Sequence, residues 1–275
     1  MNSDMPGKKL KFGIHDFLNA QPLLIPFKER VEQLGITLVT ASPAELAERL
    51  RMGGLDLAMI PSIEYLKDPE RYRLLPGIAI ASRGPVDTVL FASRLPLKEV
   101  QSIALDARSR TSVALLQVLF GEIFPWNVFM ETTDPDPENM LKEHDAALII
   151  GDPAFHLRSA YPDLEIYDLS EQWFQQTGKM FVHAVVAVDC EVTLDEKFLV
   201  MLQEAKADGL SRLEEIAQAE SGKAKINYET CLDYLSNKII YDLGKEEMIG
   251  LQHFRDACFE KGILDKKEMI KFIRF

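Results

Sequence analysis

Up to about residue 190 the chain alternates short apolar or β-branched runs with longer segments whose apolar residues recur at helical spacing. Runs this short, bounded by turn formers, are strand-length and too brief for stable helices. LKFGIH at 10–15, ITLVTA at 36–41, LDLAMI at 55–60 and the stretch 72–81 are predicted strands. Helices are predicted over 21–34, 43–52 and 62–65. Ser42, Pro43 and Glu45 read as a capping box with proline in the first turn, and Gly53-Gly54 as a stop. Strand and helix in strict alternation argue for an α/β fold with a mostly parallel sheet covered by helices.

A second set of elements follows. TVLFA at 88–92 crosses into it, SIAL at 102–105, VFME at 128–131 and AALII at 146–150 are its strands, and residues 111–120 and 138–142 its helices. FVHAVVAV at 181–188 carries the chain back, and the pattern after Cys190 is helical throughout. Two crossings imply two lobes and a two-strand hinge: lobe one from residues 1–88 and 188–275, lobe two from 89–187. This layout resembles the type-II periplasmic-binding-protein architecture, which closes on small molecules in its cleft.

The formal charge of −12 disfavours nucleic acid and anionic membrane as partners. It also opposes an anionic ligand, so any anion site must be assembled locally from helix N-termini, backbone N–H groups and arginine. Cys190, Cys231 and Cys258 form no CxxC pair and read as inert thiols in apolar surroundings. No secretory h-region follows the N-terminus, and no run approaches the ~20 apolar residues that span a bilayer, so a cytoplasmic location is expected.

Ligands of open α/β lobes meet the loops at the carboxyl ends of strands. His15 closes the first strand and reads either as a structural histidine or as a cleft residue. Asn19, just beyond it, and Ser62, after Pro61, fit either a helix cap or a ligand contact. Ser109, Arg110, Thr111 and Ser112 place three hydroxyls and a guanidinium at the start of an apolar helix, the best anion pocket in the chain. Gly151 and Asp152, before Pro153, read as a cap or as a close approach to ligand. GxGxxG, Walker, GxSxG and HExxH patterns are absent.

Six segments carry a family resemblance: FLNAQPL at 17–23, IPSIEY at 60–65, IASRGPVDTVLFAS at 80–93, ALDARSRTSVALLQVL at 104–119, LIIGDPAF at 148–155 and EQWFQQTGKMFVHAVVA at 171–187. In order and spacing the chain resembles the chorismate dehydratases of the futalosine route to menaquinone. It departs from them at Lys179-Met180, where Leu-Pro is usual, and at Val186, where Trp is common. The resemblance implies a hydro-lyase that needs no cofactor and turns the dicarboxylate chorismate into 3-[(1-carboxyvinyl)oxy]benzoate and water. It places Asn19 as the catalytic residue, with Ser62, Ser82, Arg110, Thr111, Ser112 and Gly151 lining the pocket. Three other readings share the architecture: a small-anion solute-binding protein, the sister dihydroxynaphthoate synthase, and the effector lobes of a regulator. Lack of a signal peptide and of helices ahead of the first strand counts against the first and last.

Overall fold

The computed structural model describes residues 9–274 and contains two sheets. The opening residues, on which the reading of the leader partly rests, lie outside the described part. The first sheet comprises β1 (Leu10–Ile14), β2 (Ile36–Thr40), β3 (Leu57–Pro61), β4 (Tyr72–Ser82), β10 (Phe181–Asp189) and β11 (Ile239–Ile240). The second comprises β5 (Val89–Ser93), β6 (Ser102–Asp106), β7 (Phe129–Thr133), β8 (Ala146–Ile150) and β9 (Glu165–Asp168). Their orders are β11-β4-β10-β3-β1-β2 and β7-β6-β8-β5-β9.

Neither sheet is mostly parallel. β1 runs parallel to β2 and β3, but β10 enters antiparallel between β3 and β4. β6 is parallel to β7 and β8, and β5 is antiparallel to both β8 and β9. Each sheet thus takes in an antiparallel strand that arrives from the other lobe's side. The return crossing precedes Phe181, because the whole of β10 is paired within the first sheet.

Local chemistry accounts for most boundaries. Ser42 Oγ accepts the Glu45 N–H at 3.3 Å, but the Glu45 carboxylate turns to Arg49, so the box is half formed. The segment 21–34 breaks at Arg30 into Gln21–Glu29 and Val31–Leu34; Pro26 inside the first piece withholds a donor from the ladder. Beyond Cys190 the helical reading misses β11, which adds to the edge of β4 after a π-type turn at Tyr234–Lys238. Cys190 is exposed, against expectation. Cys231 and Cys258 are buried, and burial pushes their thiols up to about 11 and about 12.

One apolar core runs through both lobes. Phe91 and Leu148 of the second sheet, with Leu115 and Phe120 of the helix Thr111–Phe120, belong to the same cluster as Phe12, Ile60 and Val185 of the first sheet. Trp173, Phe181 and Phe254 meet at the junction with ring centroids 5.0–5.9 Å apart. Here the helix Lys245–Glu260 presses on the start of β10, and Gly250 permits it: a Cβ there would lie 2.1 Å from the Met180 carbonyl oxygen.

Gly250→Ala should therefore destabilise the fold by about 1–3 kcal/mol, read as a lowered urea midpoint. Gly222→Ala, where a Cβ meets nothing within 4 Å, should stay within about 0.5 kcal/mol of the parent.

Candidate functional site

The carboxyl ends of β1, β3, β6 and β8 converge on a cavity between the lobes, about 560 Å³ including its mouth. Lobe one contributes His15, Phe17, Asn19, Pro61 and Ile80, lobe two contributes Arg108–Ser112, Ile150 and Gly151, and the hinge contributes Val86, Thr88 and Val89. His183 and Ala184 of β10 form the rear wall. Of the residues singled out from the sequence, His15, Asn19, Arg110, Thr111, Ser112 and Gly151 line this space.

His15 is buried and its Nδ1 has no partner among the described residues; burial lowers its pKa to about 4, so the ring is neutral. Its ring lies 5.1 Å from that of Phe17. Asn19 sits in the single 3₁₀ turn Leu18–Ala20, and its side chain caps no helix. Its Oδ1 is buried without a partner among the described residues, beside the Tyr234 hydroxyl. Unpaired buried polar atoms are rare, and two of them belong to residues that line this one cavity.

Across the cavity begins the helix Thr111–Phe120. Thr111 Oγ1 accepts the Ile63 N–H at 3.3 Å and stands 3.5 Å from Ser62 Oγ, so the two lobes touch here. The cations nearby are already engaged. Arg108 holds Asp106 through Nε at 2.9 Å and Nη2 at 2.6 Å, donates to the Ile150 carbonyl, and lies 5.2 Å over the Phe17 ring. Arg110 Nη1 donates to Glu64 Oε2 at 2.8 Å, leaving its Nε and Nη2 without a partner among the described residues.

Gly151 has φ 72° and ψ −157°, a conformation essentially restricted to glycine. Its N–H is spent on the Thr88 carbonyl, and a Cβ there would meet the Phe17 ring only at an ordinary 3.6 Å, so the backbone conformation and not space calls for the glycine.

Three expected pocket residues sit elsewhere. Ser62 is buried behind the wall and donates to the Val182 carbonyl at 2.7 Å. Ser82 is buried too, its hydroxyl 2.8 Å from Ser170 Oγ and 2.9 Å from His183 Nε2. Asp152 faces a separate depression shared with Asp16, Lys28 and Lys223, and accepts the Leu18 N–H at 3.3 Å across the lobes. Burial raises its pKa. Conversely, the sequence reading passed over His183, Thr88, Arg108 and Tyr234. Thr88 Oγ1 and Tyr234 OH are 2.9 Å apart at the hinge. A histidine inside an otherwise apolar strand was the one available signal for His183.

The hinge itself is pinned by Asp168, at the end of β9. One carboxylate oxygen accepts the N–H groups of Val86 and Asp87 at 2.8 and 2.7 Å, and the other those of Ser170 and Glu171 at 3.0 and 3.1 Å. Burial nevertheless raises its pKa.

The sequence profile of a family described as menaquinone biosynthesis matches residues 10–260. The chorismate dehydratase of Thermus thermophilus is 32% identical over 238 residues, covering 81% of this chain and 87% of that protein. Among solved structures, a protein from Archaeoglobus fulgidus superposes with a TM-score of 0.77 at 17% identity, covering 94% of this chain and 99% of that one. The alkanesulfonate-binding protein of Xanthomonas axonopodis pv. citri, solved with MOPS bound, gives 0.67 at 16% identity and 96% of each chain. The periplasmic nitrate-binding protein of Synechocystis gives 0.58 at 14% identity, covering 94% of this chain and 82% of that one. These structural likenesses establish a periplasmic-binding-protein-like fold, and the profile together with the Thermus relative establishes that the chain belongs to the menaquinone-biosynthesis family.

Proposed function

We propose that the chain is a hydro-lyase that dehydrates chorismate to 3-[(1-carboxyvinyl)oxy]benzoate. The observation that carries the reading is the pairing of Asn19, whose buried Oδ1 has no partner, with the N-terminus of the Thr111–Phe120 helix across one interlobe cavity. The Thermus relative supplies the substrate class.

The reaction suits such a cavity. The ring carbon bearing the ether loses its proton, the C–H pair becomes the new ring double bond, and the neighbouring hydroxyl leaves as water. The ring becomes aromatic, so the step is downhill and needs geometry more than chemical force. The substrate's own enolpyruvyl carboxylate takes the ring proton and passes it to the departing hydroxyl, while Asn19 holds the conformer in which carboxylate and C–H meet. The buried helix start at Thr111 and Ser112 and the free N–H groups of Arg110 receive the carboxylates. Ser62 and Ser82 act from behind, by fixing Val182 and His183. Closure excludes water, which would compete for the same donors. No step calls on a cofactor. In line with this reading, no helix among the described residues is long and apolar enough to cross a membrane, and a cytoplasmic location is proposed.

Purified protein mixed with chorismate should yield the aromatic product by absorbance and mass spectrometry. Tight binding without conversion would instead make it a solute-binding protein, and neither outcome would leave the sister naphthoate synthase. Asn19→Ala should lower turnover roughly 100-fold or more with the fold intact, since a misplaced substrate loses on that order. Unchanged turnover would remove Asn19 from the reaction.

Arg110→Lys keeps the charge but loses the planar fork that serves Glu64 with one nitrogen and the cavity with the others. KM for chorismate should rise about 10-fold, the loss of one charge-assisted hydrogen bond, while kcat changes less. Steady-state kinetics separates the two.

A further inference from the structure

The rear wall of the cavity holds a cluster in which the proposed reaction has given the His183 ring itself no task. His183 Nε2 lies 2.9 Å from Ser82 Oγ and 3.2 Å from Ser170 Oγ, and the two hydroxyls are 2.8 Å apart. Both serines are buried. Three polar atoms therefore share their protons within one closed triangle, and buried donors need acceptors.

Only one ring tautomer satisfies every proton. If Nε2 carried the ring hydrogen, it would donate to one serine, that serine to the other, and the last hydroxyl hydrogen would be buried with no acceptor among the described residues. If Nε2 is the acceptor, Ser170 donates to Ser82 and Ser82 to Nε2, and nothing is wasted. The ring hydrogen then resides on Nδ1. That atom has no partner among the described residues, yet unlike Nδ1 of His15 it is not sealed off, and His183 lines the cavity.

We propose that His183 is a ligand-facing donor of fixed tautomer, its Nδ1–H held by the Ser82–Ser170 pair and directed at a carboxylate of the substrate. The assignment deepens the dehydratase reading and rests on it for the identity of the ligand. Burial lowers the His183 pKa to about 4, so the ring donates as a neutral group. No bond to carbon or oxygen is made or broken by His183 in this role.

Two measurements test it. In the ligand-free protein labelled with ¹⁵N, long-range proton–nitrogen correlation should show a protonated Nδ1 and an unprotonated Nε2. The reverse tautomer would overturn the proposal, whether or not chorismate is turned over. The double variant with Ser82→Ala and Ser170→Ala should relax this tautomer toward a mixture, and retention of a pure Nδ1–H form would show that the hydroxyls do not set it.

The second measurement uses two near-isosteres. The side-chain amide of His183→Asn stands where Nδ1 stood, whereas that of His183→Gln stands nearer Nε2. Asn should keep kcat/KM for chorismate within about threefold of the parent, and Gln should lose roughly 10- to 100-fold, as expected for a donor to a charged group. Equal losses in two folded variants, or a smaller loss with Gln, would overturn the proposal. An inactive parent chain would fail the dehydratase reading instead, and leave the tautomer to be decided by resonance alone.

Discussion

An acidic chain that is to receive the proposed dianion must find positive potential with few free cations, and the cavity shows how this can be done. Arg108 is saturated by Asp106 and the Ile150 carbonyl, and Arg110 gives one nitrogen to Glu64. What remains for a ligand is the part of Arg110 that Glu64 does not use, together with a set of oriented neutral groups: the first turn of the Thr111 helix, the Asn19 amide, the hydroxyls of Ser109 and Ser112, and two uncharged histidines. Oriented dipoles in a place that water leaves are worth far more than the same groups in solution.

The lobes are bound to this arrangement by several kinds of tie. The Leu18 N–H reaches Asp152, the Ile63 N–H reaches Thr111, and Glu64 reaches Arg110, each pairing lobe one with lobe two at a residue that touches or borders the cavity. Behind them the apolar core is continuous through Trp173, Phe181 and Phe254. Opening the cleft would thus break polar contacts at the front and leave the aromatic junction as pivot. Asp168 is suited to the pivot, because its four N–H acceptances fix the strand crossing and the start of the Leu169–Thr177 helix as one piece. Ser170, the second residue of that helix, carries this rigidity directly to His183.

Strand ends were legible in the sequence because apolar runs stop abruptly at Pro61, Asp106 and Gly151, and the loops after them did supply the cavity. Orientation was not legible. Ser82 and Ser62 have the right chain positions, yet their hydroxyls turn inward to His183 and to the Val182 carbonyl, a choice settled by partners more than 80 residues away. β9 and the helix after it were missed because the stretch is short and only partly apolar, and its place depends on pairing with β5 rather than on its own pattern. His183 was hidden for the opposite reason. β10 is so largely apolar and buried that His183 did not stand out within it, when it is the point at which that core meets the cavity.

Neutral donors also bear on turnover. Substrate and product of the proposed reaction are both dicarboxylates, so an interaction that rewards carboxylate charge alone stabilises them equally and raises no rate. A pocket built on two unpaired arginines would hold product as firmly as substrate. With Arg108 neutralised by Asp106 and Arg110 shared with Glu64, discrimination must come from shape: the puckered diene ring against the flat benzoate, between Phe17, Ile80 and the neutral rings of His15 and His183. In the proposed reaction Asn19 then has a role that charge could not fill: its amide would distinguish conformers of one anion, favouring the geometry in which carboxylate and ring hydrogen meet, and that geometry is lost once the ring is planar.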